Sequence, residues 1–308
     1  MKRLAVGLAL VLMVVLVLTG CGGSNGTAPK SGDQGTTLRI GSQGYAEVEI
    51  QAEIAKSLIE AKTNHKVEHV PNLGSAMALL QATTKGDLDM HISFTGTHFL
   101  GTFEQKLTPE WRDPDKVWTY VHDRLLEDYG LYSFPAYGYN NVYAIAVPRA
   151  TAEKLNLKTV SDLVPYAGDF VLGTDQTFQD YPGQGYKELC QAYGFKFKEA
   201  IPMDFGLMYR ALETGEVDAA VVYTTDGRNV AGDLIILEDD KQFNPPYYGM
   251  LVSRADILEK YPEVKEALAP LGGLMDTETM KELNARVDVN EEDPSQVAQD
   301  FLKEKGLI

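Results

Sequence analysis

Two segments of the chain repeat one another, and this repeat constrains the fold more than any other feature of the sequence. Residues 80–89 and 209–218 share a helix-like run, a glycine, an acidic residue and, two positions later, an aspartate. Each is followed by a short strand-like stretch that ends in an aromatic residue, Phe94 in the first copy and Tyr223 in the second. The pattern predicts a helix closed by a left-handed glycine, a tight turn and a buried strand. Two copies predict two similar lobes.

Strand-like and helix-like patterns alternate around the first copy of the repeat. Residues 38–41 and 67–70 have the composition of short strands. Apolar residues within 48–61 recur at nearly helical spacing, and 76–84 also has a helical pattern. Alternation of this kind predicts an α/β fold with largely parallel sheets.

Two extended runs predict where the chain crosses between the lobes. Residues 143–148 lead from the first half to the second, and 243–252 lead back. We therefore expect lobe I to comprise 38–143 and 248–308, and lobe II to comprise 144–247. This order, with its two crossover strands, predicts a hinged clamshell.

The first residues of the chain predict export from the cytoplasm. Two basic residues precede the apolar run 4–18, which is short for a membrane-spanning helix of roughly 20 residues. The segment ending at Cys21 resembles the lipobox of bacterial lipoproteins, which implies cleavage before an acylated cysteine. We expect 1–20 to be a signal peptide and 21–37 a flexible tether that holds the protein outside the cell membrane. An uncleaved transmembrane anchor is the alternative.

Charge and composition exclude several classes of function. The net charge of −16 disfavours partners such as nucleic acid and anionic lipid head groups. Cys190 has no disulfide partner if Cys21 is acylated, and we expect it to be a buried apolar thiol. The sequence has no Gly-x-Ser-x-Gly elbow, phosphate-binding loop or His-Glu-x-x-His motif, and its 5 histidines are scattered. We therefore predict no enzymatic activity, no cofactor and no metal site.

Tyrosine is unusually frequent, with 16 residues against 11 phenylalanines and 2 tryptophans. A quaternary ammonium ion donates no ordinary hydrogen bonds, so aromatic ring faces are its best partners, at about 0.5–2 kcal/mol each. Alternatively, tyrosines at strand ends lie half-buried with the hydroxyl in water. We favour an aromatic box, because several rings fall at predicted strand ends or crossings: Tyr139, Tyr143, Tyr181, Tyr223, Tyr247 and Tyr248.

The chain from 38 to 308 resembles the osmoprotectant-binding lipoproteins of ABC importers, which take up glycine betaine, choline, carnitine and related compounds. The similarity lies in the order and spacing of several short segments, and it implies a type II periplasmic-binding-protein fold. The matching segments are 40–42, 94–97, 139–144, 203–207, 223–228, 237–241 and 245–248.

The resemblance also implies a set of ligand-binding residues. In that family a tyrosine cage holds the ammonium group, and Phe94 here keeps the ring but loses the hydroxyl of the usual tyrosine. Thr97 matches a position that helps to bind the carboxylate of the ligand. The residues implied in this way are Phe94, Thr97, Asn141, Tyr143, Tyr223 and Tyr247, together with Gln43 and Tyr181.

This chain departs from the family at two positions where the family has basic residues that can bind the carboxylate of the ligand. The family often has a lysine where this chain has Gln43, and an arginine in the loop 176–184, where Tyr181 or a neighbour replaces it. Loss of a bidentate arginine removes the strongest contact to a carboxylate. We therefore expect a ligand with a cationic head whose anionic end is absent, distant or held by neutral donors.

These observations predict an extracytoplasmic solute-binding protein that captures a quaternary-ammonium compound between two lobes. The resemblance implies an ABC permease and ATPase as partners, and we expect a monomer. The alternatives are a binding protein or sensor for a different small polar solute and, with less support, an enzyme on the same fold.

Overall fold

The computed structural model describes residues 35–180 and 184–308, where the chain forms two five-stranded sheets. Cys21 and Tyr181 lie outside the described residues. The strands are β1 (Thr37–Gly41), β2 (Lys66–Val70), β3 (Met90–Phe94), β4 (Leu131–Ser133), β5 (Tyr143–Pro148), β6 (Val171–Thr174), β7 (Glu199–Pro202), β8 (Ala219–Tyr223), β9 (Leu234–Ile236) and β10 (Gly249–Arg254).

Helices cover both sheets, and in the described ranges none is long and apolar enough to span a membrane. They are α1 (Ala46–Lys62), α2 (Ala76–Lys85), α3 (Pro114–Tyr129), α4 (Arg149–Leu155), α5 (Gln176–Asp180), α6 (Tyr186–Tyr193), α7 (Phe205–Thr214), α8 (Arg228–Ala231), α9 (Ala255–Lys260), α10 (Pro262–Ala267), α11 (Thr277–Asp288) and α12 (Pro294–Glu304).

The two sheets have the same topology, which confirms the predicted two-lobe α/β architecture. Their strand orders are β2-β1-β3-β10-β4 and β7-β6-β8-β5-β9. In each sheet three strands run parallel, and a strand that follows a crossing, β10 or β5, inserts antiparallel to both of its neighbours. Four of the five strands of each sheet run in the same direction, so the expectation of largely parallel sheets fails only for β10 and β5, which enter in the opposite direction.

The aspartate of the internal repeat has the same structural role in both lobes. The Asp89 carboxylate accepts the backbone N–H of Arg39 at 2.8 Å, and the Asp218 carboxylate accepts that of Val171 at 2.8 Å. The glycine that closes each preceding helix has a positive φ, as the repeat predicted. Each aspartate thus fastens the start of one strand to its parallel neighbour in the same sheet, β3 to β1 and β8 to β6.

Helix α1 forms the centre of the lobe I core. It packs between the sheet and helices α11 and α12, so most of its surface is buried. Ile50, Ile54 and Leu58 have no solvent exposure, and burial of each such side chain contributes about 1.5–3 kcal/mol. This packing fixes the first turn of α1, which borders the cleft described below.

The two crossing segments, 134–142 and 237–248, lie against each other between the sheets. The Asn140 side-chain oxygen accepts the backbone N–H of Tyr247 at 2.7 Å. The Asn141 backbone N–H donates to the Tyr247 carbonyl at 2.9 Å, and Asn140 also forms a β-bridge with Tyr248. These bonds make the two crossings one hydrogen-bonded unit.

Candidate ligand-binding cleft

A cavity of about 650 Å³ lies between the two sheets, where strands of both lobes end. A side pocket of about 190 Å³ shares three of its residues and adds Tyr143. The main cavity brings together six of the predicted site residues: Gln43, Phe94, Thr97, Asn141, Tyr223 and Tyr247. Tyr143 lines the side pocket, and Tyr181 lies outside the described residues.

Strand ends bring rings together that are far apart in the sequence. Phe94 ends β3 and pairs across the sheet with Gly249, the first residue of β10. Tyr247 lies two residues before Gly249, so this pairing brings its ring close to Phe94. Tyr223 ends β8 and pairs directly with Tyr143, the first residue of β5. Because ligands of open α/β sheets bind beyond strand ends, all four rings lie where a ligand is expected.

Tyr143 and Tyr223 form a stacked pair on the lobe II side. Their ring centroids are 4.7 Å apart with an interplanar angle of 25°, and their hydroxyls are 3.0 Å apart. Phe178 packs behind Tyr143 with a centroid distance of 4.9 Å. The pair is therefore held from behind and presents Tyr223 to the cavity.

Phe94 and Tyr247 form a second pair on the lobe I side. Their centroids are 6.1 Å apart, and the Thr97 hydroxyl donates to the Tyr247 hydroxyl at 3.4 Å. A Cβ atom added at Gly96 would lie 2.0 Å from the Tyr247 ring, so only glycine lets the ring lie there. Thr97 begins a π-helical turn, Thr97–Thr102, a distortion that is frequent at functional sites.

Tyr45 is a further aromatic residue of the main cavity and was not among the predicted site residues. It precedes α1, lines the cavity and is 41% exposed. Loss of water around its hydroxyl, with Glu47, Tyr223 and Tyr247 nearby, raises the pKa of Tyr45 well above its usual value. The prediction considered rings at strand ends and crossings, whereas Tyr45 lies in the loop that follows β1. That loop also leaves the carboxyl end of a strand, which was the available signal.

Glu47 is a buried carboxylate on the wall of the cavity, only 3% exposed, and it was also missed. Its two oxygens accept the side-chain N–H groups of Asn141 at 2.9 Å and Asn284 at 3.1 Å. Desolvation raises the pKa of Glu47, and hydrogen bonds from Thr225 and from these asparagines oppose part of the shift. Its first-turn position on a buried helix gave no sequence signal for a cleft.

Arg228 is the one lysine or arginine among the described residues that line the main cavity. Its Nε donates to the Asp226 carboxylate at 2.9 Å, and its guanidinium lies 4.7 Å from the centre of the Tyr209 ring. Asp288 lies at the exposed rim of the same wall. The sequence comparison considered a basic group only at position 43 and in the loop 176–184, where the chain has none, so Arg228 was missed.

Ser42, His69 and Glu53 have the spacing of a hydrolase triad outside the cleft. The Ser42 hydroxyl is 2.8 Å from His69 Nε2, and His69 Nδ1 is 2.9 Å from a Glu53 oxygen. Ser42 is fully buried, does not line the cavity and also donates to the Gln43 carbonyl at 2.9 Å. This chain of hydrogen bonds therefore holds the loop after β1 in place and offers no reachable nucleophile.

Two other chemical groups lie outside this site. Cys190 is half-buried in α6 of lobe II, where burial raises its pKa and so lowers its reactivity. Within the part of the chain that the structure describes, no three His, Cys, Asp or Glu side chains are arranged to hold a metal.

The known proteins that this chain resembles are described as binding or transport proteins for related small solutes. The chain is 36% identical to the carnitine transport binding protein OpuCC of Listeria monocytogenes, over 100% of this chain and 99% of that protein. It is 31% identical to the ergothioneine transport permease/ergothioneine binding protein EgtU of Helicobacter pylori, over 91% of this chain and 49% of that longer protein. A crystal structure described as a glycine betaine/carnitine/choline ABC transporter superposes with a TM-score of 0.83 at 33% identity, covering 89% of this chain and 99% of that one.

The family comparison agrees with the topology of the sheets. The model of the substrate-binding domain of ABC-type glycine betaine transport systems matches residues 36–304. The sheet orders and the superposition together identify a type II periplasmic-binding-protein fold. The chain belongs to the family of substrate-binding domains of ABC-type glycine betaine transport systems.

Proposed function

We propose that this chain is the extracytoplasmic solute-binding protein of an ABC importer and that its cleft captures a quaternary-ammonium compound. The convergence of aromatic rings from both lobes on one cavity carries the proposal. Choline, glycine betaine, carnitine and related betaines share the required cationic head. Relatives described as binding carnitine and ergothioneine support this ligand class.

The chemistry of the cavity suits a cation that cannot donate hydrogen bonds. Ring faces attract such a head group at about 0.5–2 kcal/mol each when water is excluded. The cavity wall adds the carboxylates of Glu47, Asp226 and Asp288 against the single guanidinium of Arg228. This acidic excess strengthens the attraction in a partly desolvated cleft.

Capture works by closure of two lobes about the crossing segments. We place the moving parts at 38–143 with 248–308 and at 144–247. A ligand that contacts rings of both lobes stabilises the closed state by its differential affinity for it. The closed form then delivers its ligand to the permease, which the ATPase drives.

Tyr223→Ala and Tyr143→Ala test the cage. Each loses ring surface worth about 0.5–2 kcal/mol, so affinity should fall by about 2- to 30-fold. Calorimetric titration with choline, glycine betaine and carnitine measures this, and small-angle scattering should show that saturating ligand makes the wild-type chain more compact. Tyr223→Phe keeps the ring and should bind more tightly than Tyr223→Ala.

Tyr129→Ala, at the end of α3 and outside the cleft, is the matched control and should bind as the wild type does. Unchanged affinity in both cage variants, or no binding of any quaternary ammonium by the wild type, would refute the proposal.

A further inference from the structure

The turn 224–227, which joins β8 to α8, connects the two lobes outside the crossing segments. Strand β8 belongs to lobe II, whereas α11 packs on α1 in lobe I, and yet the turn and α8 lie against α11. Helix α11 begins beside the crossings, because the Thr277 hydroxyl accepts the Asn140 backbone N–H at 3.2 Å. The turn meets α11 at Asn284 and Ala285. A helix rises about 1.5 Å per residue, so this contact lies about 10 Å farther from the crossings.

Gly227 packs directly on the backbone of α11. A Cβ atom added at this position would lie 2.4 Å from the Ala285 nitrogen and 2.5 Å from its Cα, which is closer than side chains approach other atoms. Because these two atoms belong to the backbone of a helix, they cannot turn aside as a side chain could. The φ of Gly227 is −61°, which any residue adopts. The close approach of the two lobes, and not the backbone conformation, therefore requires glycine here.

Asn284 bonds to both lobes with one amide group. Its Nδ2 donates to the Thr225 carbonyl of lobe II at 2.8 Å and to the Glu47 carboxylate of lobe I at 3.1 Å. Asn284 and Thr225 are both buried, with exposed fractions of 3% and 1%. Separation of the lobes would break the bond to Thr225 and keep the bond to Glu47. This hydrogen bond therefore depends on how closely the lobes approach each other.

Lobe II holds the turn in a fixed shape. The Asn229 side chain donates to the Tyr223 carbonyl at 2.8 Å and accepts the Tyr209 hydroxyl at 3.0 Å. The Asp226 carboxylate accepts the backbone N–H of Arg228 at 2.9 Å. Because these partners all belong to lobe II, the turn moves with that lobe and can meet or leave α11 without refolding.

Like charges oppose the same contact. Loss of hydration and the Asp226 carboxylate of lobe II raise the pKa of Asp288 at the end of α11, whereas Arg228 lowers it. The two carboxylates therefore resist the approach of the lobes, and the guanidinium compensates part of that repulsion. A contact that combines close packing with repulsion suits an interface that forms and breaks in each cycle of capture and release.

We infer that the turn 224–227 is a latch between the lobes, which seats on α11 at Asn284 and Ala285 when the cleft closes and sets the population of the closed state whichever ligand is bound. This inference rests on the proposed function and adds a regulating contact to it. Ligand affinity depends on the population of the closed state. Loss of the latch should therefore lower the affinity for every ligand by the same factor, through faster release.

Gly227→Ala tests the latch. Its added methyl group overlaps the Ala285 backbone, so the affinities for choline, glycine betaine and carnitine should each fall about tenfold. Calorimetry measures the affinities, and stopped-flow tyrosine fluorescence measures release. Gly206→Ala on α7 is the matched control in lobe II. Its methyl group would meet no atom within 4 Å and its φ is not positive, so it should bind as the wild type does.

The distance between the lobes gives a second measurement that does not depend on affinity. Spin labels at Met77→Cys and Leu207→Cys, exposed positions in the first turns of α2 and α7, report this distance in a chain that also carries Cys21→Ala and Cys190→Ala. At saturating choline the otherwise unchanged chain should give one short distance, and Gly227→Ala should add a longer one.

Asn284→Ala removes the bond to Thr225 without added bulk, and it decides the question if Gly227→Ala does not fold. All three affinities should fall by one common factor of about threefold to tenfold. Losses that differ between ligands would assign Asn284 to ligand contact and overturn the latch. Wild-type affinities and distances in Gly227→Ala would also overturn it and leave the proposed function intact. If the wild type binds none of the three ligands, the proposed function itself fails.

Discussion

At the scale of single residues, burial keeps two imidazoles uncharged, one in β3 and one in the π-helical turn that follows it. His91 and His98 are buried, with ring centroids 6.2 Å apart. Their Nδ1 atoms lie 2.8 Å from the Thr83 hydroxyl and 3.1 Å from the Thr102 hydroxyl. Desolvation lowers the pKa of His91 to about 3 and that of His98 to about 4. Both therefore stay neutral in the folded protein at neutral pH.

This burial makes the protein sensitive to acid. An unfolded histidine titrates near 6.5, so below that pH the unfolded state binds more protons and becomes favoured. The contribution of the two neutral histidines to the free energy of unfolding is complete well above pH 6.5 and is lost progressively as the pH falls toward about 4. Between pH 7 and pH 5 each histidine should reduce the free energy of unfolding by about 2 kcal/mol.

Chemical denaturation at a series of pH values measures this loss. His98→Gln should be less sensitive than the wild type by about 2 kcal/mol over the same interval. His122→Gln, on α3 and outside the pair, is the control. Equal pH dependence in the wild type and His98→Gln would show that His98 has no such role.

The sequence identified fewer than half of the residues that line the main cavity, and those were the ones with a local signal. Phe94 and Tyr223 were recognisable because each ends a repeated strand. Glu47 and Arg228 were not recognisable, because their position at the cavity depends on how α1 and α8 pack against the other elements.

At the scale of elements, the turn after β3 depends on one glycine. The backbone at Gly96 approaches the Tyr247 ring so closely that a methyl group would overlap it. Gly96→Ala should therefore displace the ring and weaken ligand binding about tenfold. A loss of this size corresponds to roughly one cation–π contact. Calorimetry gives the affinity, and circular dichroism shows whether the fold is kept.

Gly101→Ala lies in the same π-helical turn and is a close control. Its added methyl group would meet no atom within 4 Å, and neither glycine has a positive φ. Equal ligand affinity in the two variants would disprove the role assigned to Gly96.

Strands and helices could be predicted from the sequence wherever local features, such as hydrophobic periodicity and capping residues, define them. The repeat predicted the shared topology of the lobes, because its glycine and aspartate have the same roles in both copies. The antiparallel insertion of β5 and β10 was not predictable from those segments, since apolar runs fix burial without fixing direction.

At the scale of the whole molecule, Cys21 is proposed to hold the receptor at the membrane. Acylation of this cysteine would keep the wild-type chain with membranes, whereas Cys21→Ala should appear in the soluble fraction. Cys190→Ala, which changes the other cysteine, should remain with membranes. Release of both variants, or of neither, would contradict lipid anchoring at Cys21.

The crossing segments have a consequence for how such a protein acquires a new cargo. Tyr247 lines the cavity, and its backbone is bonded to Asn140 and Asn141 of the other crossing. If the lobes close about the crossing segments, as we propose, the axis of motion and the selectivity of the receptor share the same few residues. Substitutions that change which solute is accepted are therefore expected to change how readily the receptor releases it. Specificity and turnover of the importer should evolve together rather than independently.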